Sequence, residues 1–395
     1  MRHVREDGSS TVDRLLATRR LVVCVGPGGV GKTTVAAALG VRAAQLGRRA
    51  LVLTIDPARR LATALGVAGL GDAEREVALG EYGGAGRLCA AMLEPGSSYD
   101  ALITRIAEPG RREAILGNRV YQIMSRAFSA AHAYVAMERL HEVMEGGRHE
   151  VVILDTPPTR SALEILDAPG RLLAFLDERV LGMVLGGPAS GFGGRVLARG
   201  GAAARRLLVR LAGEGLVGDL VEFLGLFVAL RPGFVARAAT TQGLLQGEDA
   251  AFVLCASARA DNLADASRLR DGLGGRGVAV EAVVFNRAYV PLTRDPALND
   301  APPRPPAAGF IEALAGDDEG ARRLLAPLLD GLDRVREASA ADNARLAGSI
   351  EEFSRAMPPE AARIVVPELA REPQDVRGLA ELAGLLAAAS SSRGA

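Results

Sequence analysis

Short apolar runs alternate along this chain with longer segments in which apolar residues recur at helical spacing. The runs at Leu21–Val25, 50–55 and 151–154 are each followed at once by a glycine or an aspartate, as is typical of buried parallel strands. Between the first two runs, residues 31–46 carry alanine and leucine at helical spacing, and the pattern stops at Gly47. This order predicts the first βαβ unit of a doubly wound α/β sheet.

The same alternation continues to the C-terminus. Further apolar runs predict strands at 88–93, 251–255, 278–285 and 364–366. Helical spacing predicts helices within 97–146, 161–246 (with glycine breaks at 186–201), 261–273, 309–357 and 376–388. We expect a polar lead-in at 1–20 and a single α/β domain at 21–395. A helical subdomain of about 97–146 and 170–246 is inserted into it, and a proline-rich loop occupies 291–308.

Composition and charge limit the classes of protein to which this chain can belong. Hydrophobic residues make up 49% of the 395 residues, enough for a sizeable core, and 47 basic side chains balance 47 acidic ones. We therefore expect no nucleic acid partner. The N-terminus lacks the apolar segment of a signal peptide, and the apolar stretch 220–230 is too short to span a bilayer. We expect a cytoplasmic protein whose association with membranes, if any, is indirect.

Lys32 is the only lysine among the 47 lysine and arginine residues, and it lies in the segment GPGGVGKTT. Residues 26–33 match G-x-x-x-x-G-K-[ST], in which backbone N–H groups surround phosphate and the lysine contacts the β- and γ-phosphates. Thr33 is predicted to bind Mg²⁺ and Thr34 the α-phosphate. The predicted nucleotide-binding residues of this segment are Gly26, Gly28, Gly29, Val30, Gly31, Lys32, Thr33 and Thr34.

Two aspartates follow predicted strands. Asp155 ends the run at 151–154, where a carboxylate can reach Mg²⁺ directly or through water; alone, an aspartate at this place could also be a helix cap. Asp56 follows the strand after the phosphate-loop helix, where it can orient an attacking water. It could equally cap a turn before Pro57. We predict Lys32, Asp56 and Asp155 as the catalytic residues, with Thr33 and Asp155 as the Mg²⁺ ligands.

Three segments together resemble the ArsA/GET family of P-loop ATPases, part of the wider class that includes MinD, ParA and the nitrogenase iron protein. They are GPGGVGKTT, LTIDPARRL at 53–61 and LDTPPTRSALEIL at 154–166. The resemblance implies that Asp56 activates water in switch I and that switch II begins at Asp155. Asn286, in FNR, would read adenine. Pro367 lies in VPELAREPQDVRGLAEL, which resembles the segment that lines the adenine pocket.

The resemblance further implies Mg²⁺-dependent ATP hydrolysis by a homodimer, or by a dimer with a related ATPase, that handles a hydrophobic protein client or a membrane partner. The stretch 220–230 could line a client groove or pack into the protein's own core. A ParA/MinD-like positioning ATPase and a nucleotide-locked assembly module that barely hydrolyses ATP are the alternatives.

Two departures from the family pattern bear on these expectations. Pro27 stands where the family usually carries a second lysine, and Arg59, Arg60 or Arg160 could supply a cation instead. The zinc-binding C-x-x-C and the arsenite-binding thiol cluster are both missing from the sequence. We therefore do not expect arsenite transport.

Overall fold

The fold was analysed in a computed structural model. It describes residues 10–56, 60–93, 100, 103–104, 106–127, 129–157, 163–167, 170, 209–210, 213–289, 315 and 318–391. The predicted glycine breaks at 186–201 and the proline-rich loop at 291–308 lie outside these residues, as do Arg59 and Arg160.

Eight strands of the described residues form one sheet. They are β1 (Leu21–Val25), β2 (Arg49–Thr54), β3 (Arg75–Glu76), β4 (Arg87–Met92), β5 (Val151–Asp155), β6 (Ala250–Ala256), β7 (Val280–Phe285) and β8 (Ala362–Val365). Their order is β3-β4-β2-β5-β1-β6-β7-β8, and every neighbouring pair is parallel except β3 and β4. The predicted doubly wound, mostly parallel sheet is confirmed. The short polar strand β3 was not predicted, because an edge strand of two charged residues has no apolar pattern.

Helices connect the strands. In chain order they are α1 (Thr11–Thr18), α2 (Lys32–Gln45), α3 (Arg60–Leu65), α4 (Pro109–Gly117), α5 (Arg119–Ala127), α6 (Ser129–Gly146), α7 (Glu214–Gln246), α8 (Ala260–Gly274), α9 (Glu319–Arg355) and α10 (Val376–Ser391). Within the described part of the chain, none of them combines the length and the hydropathy needed to cross a membrane.

Helices cover both faces of the sheet. In β1, Val22 and Cys24 face a buried cluster shared with α2 and α10, whereas Leu21, Val23 and Val25 face a cluster shared with α6 and α8. Because both faces are covered, every residue of β1 is buried. This is why the strands appear in the sequence as continuous apolar runs rather than as alternating ones.

The N-terminal segment differs from the polar lead-in expected at 1–20. Ser10 accepts a hydrogen bond from the backbone N–H of Asp13 (3.0 Å) and caps α1. Val12 and Leu16 of α1 are buried in the cluster that also contains residues of α10. The apolar side of α1 is only two turns long, which is too short to stand out from its polar surroundings in the sequence.

A third buried cluster lies among the helices, apart from the two clusters that cover the sheet. It joins residues of α4, α5 and α7, including Ile115, Tyr121, Phe223 and Leu224. Phe223 and Leu224 belong to the apolar stretch 220–230, and they are 2% and 5% exposed. This part of the stretch therefore packs into the protein's own core and does not line an open groove.

Candidate functional site

The topology brings the predicted site segments to one edge of the sheet. β2, β5, β1, β6 and β7 are consecutive neighbours and parallel, so their carboxyl ends meet at the same edge. Asp56 follows β2, Asp155 ends β5, the glycine loop follows β1 and Asn286 follows β7. In open α/β sheets this edge is where ligands bind.

Neighbouring strands hold the glycine loop from the side. A Cβ on Gly26 would lie 2.1 Å from the carbonyl oxygen of Cys255 in β6. A Cβ on Gly31, whose φ is +87°, would lie 2.4 Å from Nδ2 of Asn286. Asn286 is 8% exposed, and its Nδ2 donates a hydrogen bond to the carbonyl oxygen of Val30 (3.0 Å). Glycine is therefore required at 26 and 31 by the close approach of β6 and of the residue after β7.

The tip of the loop is open. Gly28 and Gly29 are exposed, and nothing lies within 4 Å of a Cβ placed on Gly29. Gly31 adopts the left-handed conformation at the start of α2, and no side chain caps the helix. The first N–H groups of a helix have no intrahelical acceptor and attract anions. A phosphate at this loop would supply the acceptors.

Lys32 crosses beneath the loop. Its Nζ donates a hydrogen bond to the carbonyl oxygen of Pro27 (2.7 Å), and the residue is 7% exposed. Burial lowers the pKa of Lys32, whereas the nearby Asp155 and Asp56 carboxylates act in the opposite direction. A buried ammonium group next to uncapped helix N–H groups favours a bound anion over water.

Asp155 is fully buried and joins three segments. Its Oδ2 accepts hydrogen bonds from Oγ1 of Thr33 and from Oγ1 of Thr54, both at 2.8 Å. Among the described residues its Oδ1 has no hydrogen-bond partner. Burial raises the pKa of Asp155 to about 6, against the opposing effects of the two hydroxyl groups and of Lys32. A buried carboxylate oxygen without a donor, beside a hydroxyl group, fits the oxygen ligands that Mg²⁺ prefers.

Asp56 lies close enough to Lys32 and Asp155 for its charge to act on both side chains. It is half-buried, and its backbone N–H donates to Oγ1 of Thr54 (3.2 Å). Its charge raises the pKa of both Lys32 and Asp155. The structure thus brings Asp56, Lys32 and Asp155, the three predicted catalytic residues, together. Arg60, exposed at the start of α3, lowers the pKa of Lys32 and is a second cation near the loop.

The loops after β7 and β8 run side by side. The N–H of Ala288 donates to the carbonyl oxygen of Val366 (2.9 Å), and the N–H of Glu368 donates to that of Tyr289 (2.8 Å). Pro367, between these two bonds, is half-buried. The predicted residues Asn286 and Pro367 therefore lie on adjoining loops beside the phosphate loop.

Sequence reasoning missed several residues at this edge. Thr54 was overlooked, although it precedes Asp56 by two positions at the end of β2 and could have been identified by that position. Arg287 pairs with Glu372 and is the only described residue other than glycine with a positive φ (54°). No sequence signal marks this ion pair, because its two residues lie far apart in the chain.

The thiol groups of Cys24 and Cys255 meet beneath the loop. Both residues are buried, and the pKa of Cys24 is raised well above its usual range, first by the hydrogen bond to Cys255 and then by burial. A thiol group with such a raised pKa, as in Cys24, is a poor nucleophile and a poor metal ligand.

Known proteins resemble the N-terminal part of this chain. The sequence model of the family described as anion-transporting ATPase matches residues 19–183. A protein of Halobacterium salinarum that carries the name of an arsenical pump-driving ATPase is 30% identical over 189 residues, which cover 45% of this chain and 27% of the relative. The ATPase GET3 of Malassezia globosa is 27% identical over 164 residues, covering 41% of this chain and 46% of the relative.

Over the matched residues, the chain is similar to ATPases of the ArsA/GET type. The match includes the phosphate loop, Asp56 and Asp155, which are the segments assembled at the sheet edge. The chain spans less than half the length of either relative, and the match ends before α7. The ArsA/GET-type resemblance predicted from the three motifs is confirmed.

Replacing Gly31 with alanine should destabilise the protein more than the same change at Gly47. The two glycines have φ values of +87° and +82°, so both variants have a backbone strain of about 1–2 kcal/mol. Only at Gly31 does the new methyl group meet another atom, Nδ2 of Asn286. We expect Gly31→Ala to be about 1 kcal/mol less stable than Gly47→Ala in urea unfolding, because the hydrogen bond from Asn286 to Val30 is disturbed. Equal losses would contradict this assignment.

The raised pKa of Asp155 predicts a specific pH dependence. An unfolded aspartate releases its proton near pH 4, whereas Asp155 in the folded protein keeps it up to about 6. Between these values the folded state binds more protons, so its stability falls as the pH rises. Relative to that of Asp155→Asn, the free energy of unfolding of the parent should fall by up to about 3 kcal/mol between pH 4 and pH 7.

This difference can be measured by chemical unfolding of nucleotide-free protein at several pH values. Asp330→Asn, at an exposed position of α9, is the matched control and should show no such dependence. A constant difference between the parent and Asp155→Asn would show that burial does not raise the pKa of this carboxyl group.

Proposed function

We propose that this protein hydrolyses ATP in a Mg²⁺-dependent reaction. The hydrogen bond from Thr33 to Asp155 carries the proposal, because it joins the first turn after the phosphate loop to the buried carboxylate of β5. These are the two groups from which a P-loop ATPase binds its metal ion. The family, the open glycine loop and the buried Lys32 support the same conclusion.

The residues of this site would act mainly by positioning and by charge. The loop N–H groups and Lys32 bind the β- and γ-phosphates and stabilise the negative charge of the transition state. Asp56, half-buried near Lys32, orients the water that attacks the γ-phosphate. Thr33 and Asp155 would hold Mg²⁺, which neutralises phosphate charge when it is bound.

The base would bind beside the loops that follow β7 and β8. Asn286 uses one side-chain hydrogen on Val30 and accepts the backbone N–H of Arg287 (3.1 Å) on Oδ1. An amide NH₂ has two donors, so a second hydrogen is left for adenine. The half-buried ring of Pro367 would form the apolar wall.

We further propose that ATP binding drives a dimeric switch, either between two copies or with a related ATPase. Asp56 and Asp155 lie on the segments that resemble switch I and switch II, and both lie close to Lys32. The presence or loss of the γ-phosphate would therefore affect both segments. The client would be a hydrophobic protein or a membrane partner. Because Phe223 and Leu224 are buried, a client surface would have to use other residues.

Replacing Lys32 tests the ATPase proposal. Both Lys32→Ala and Lys32→Arg should lower Mg²⁺-dependent ATP turnover about 100- to 1,000-fold, because the buried position accommodates a small ammonium group but not a broad guanidinium. Phosphate release and calorimetric ATP binding are the measurements. Arg20→Ala, which removes a charge from a side chain that is 50% exposed, is the control. Parental turnover in Lys32→Ala would refute the proposal.

Replacing Asp56 separates binding from hydrolysis. Asp56→Asn should keep ATP binding but slow turnover about 100-fold or more, and bound ATP should favour the dimer in light scattering. Partners that co-purify with this trapped state would identify the client. If the parent already retains ATP without turnover, the chain is a nucleotide-locked assembly module instead.

A further inference from the structure

The hydroxyl group of Thr54 is buried at the candidate site, but Thr54 is not among the predicted site residues. It is the last residue of β2, lies two positions before Asp56 and is 1% exposed. In the register of the sheet it lies opposite Asp155, the last residue of β5. A polar group buried this deeply is costly unless it forms hydrogen bonds. Its hydrogen bonds therefore indicate what it does.

The Thr54 hydroxyl group joins two segments of the site. Its oxygen accepts a hydrogen bond from the backbone N–H of Asp56 (3.2 Å), and the group donates one to Oδ2 of Asp155 (2.8 Å). The direction of both bonds is fixed, because an N–H only donates and an ionised carboxylate only accepts. Oδ2 also accepts the hydroxyl group of Thr33 (2.8 Å). Asp56 is therefore connected, through one side chain, to the carboxylate that would hold Mg²⁺.

This connection continues the sheet at the point where its backbone pairing gives way to a side chain. The N–H of Ile55 donates to the backbone carbonyl oxygen of Asp155 (3.1 Å), whereas the N–H of Asp56 donates to the side chain of Thr54. The position of the Asp56 backbone relative to β5 thus depends on the Thr54 hydroxyl group. Position matters here, because a displacement of about 1 Å in a catalytic site can slow a reaction about 100-fold.

We propose that Thr54 is a positioning residue for ATP hydrolysis, which holds Asp56 in place relative to the carboxylate of Asp155. This inference rests on the proposed ATPase function and adds a residue to it. Thr54 would act through Asp56 and would not contact ATP. Without the hydroxyl group, Asp155 keeps its hydrogen bond from Thr33, and Lys32 keeps its place beneath the loop. Loss of the hydroxyl group should therefore slow the attack of water and leave ATP binding unchanged.

Two replacements of Thr54 test the proposal. Valine has nearly the shape of threonine and suits a strand, but it has no hydroxyl group, whereas serine keeps the hydroxyl group. Thr54→Val should lower kcat of Mg²⁺-dependent ATP hydrolysis about 10- to 100-fold. It should change the dissociation constant of ATP, measured by calorimetry, by less than about twofold, because the lost contact acts only in the reaction step. Thr54→Ser should restore most of the parental kcat.

Two further measurements show whether Thr54 acts through Asp56. In the Asp56→Asn background, Thr54→Val should slow turnover by less than about twofold more, because residues that act as a unit do not have additive effects. Hydrogen exchange of the nucleotide-free protein needs no turnover. The backbone amide of Asp56 should exchange faster in Thr54→Val than in the parent, because its acceptor is gone, and it should exchange at the parental rate in Thr54→Ser.

Thr241→Val is the matched control. Thr241 is also 1% exposed, and its hydroxyl group donates to the carbonyl oxygen of Arg237 within α7 (3.0 Å). This variant loses an equally buried hydroxyl group and should keep the parental kcat and the parental exchange of Asp56. Circular dichroism and urea unfolding check that each variant folds. If Thr54→Val does not fold, Thr54→Ala removes the same hydroxyl group and repeats the test.

The outcomes separate this inference from the function on which it rests. Parental kcat in Thr54→Val, or a loss that adds fully to that of Asp56→Asn, would overturn the role of Thr54 and leave the ATPase function intact. A loss of ATP binding in proportion to the loss of kcat would also overturn it, because the hydroxyl group would then only maintain the fold. A parent without Mg²⁺-dependent turnover would refute the ATPase function itself and this inference with it.

Discussion

One buried carboxylate connects the parts of the candidate site. Oδ2 of Asp155, at the end of β5, accepts hydrogen bonds from Thr33 at the start of α2 and from Thr54 at the end of β2. A buried charge is costly unless polar groups surround it. The two hydroxyl groups therefore help to fix how the phosphate loop and the end of β2 lie relative to β5. The remaining oxygen, Oδ1, is buried and has no hydrogen-bond donor among the described residues.

The phosphate loop depends just as much on strands that are distant in sequence. Gly26 lies against the backbone of Cys255, and Gly31 against the side chain of Asn286. Asn286 in turn holds the carbonyl group of Val30 and the N–H of Arg287. The residue predicted to read adenine is thus also a structural part of the loop. A change at Asn286 would alter the phosphate site as well as the base site.

Two helices show why an apolar pattern does not reveal what it contacts. The stretch 220–230 in α7 and the stripe at 324–335 in α9 are both apolar rows at helical spacing. Phe223 and Leu224 of α7 are buried by α4 and α5, whereas Leu324 and Leu328 of α9 are exposed. Periodicity shows which side of a helix is apolar. Only the positions of the neighbouring elements show whether that side is covered.

By itself, the sequence determined seven of the eight described strands, the phosphate loop and the ArsA/GET-type resemblance, because these rest on local patterns and on motifs such as GPGGVGKTT. It also identified Asp56 and Asp155, which end apolar runs. Tertiary structure alone decided the strand order that places them beside Lys32, the roles of Thr54 and of the Arg287–Glu372 pair, and the packing of α1 against α10. These features depend on contacts between residues far apart in the chain, and a local sequence pattern does not indicate such contacts.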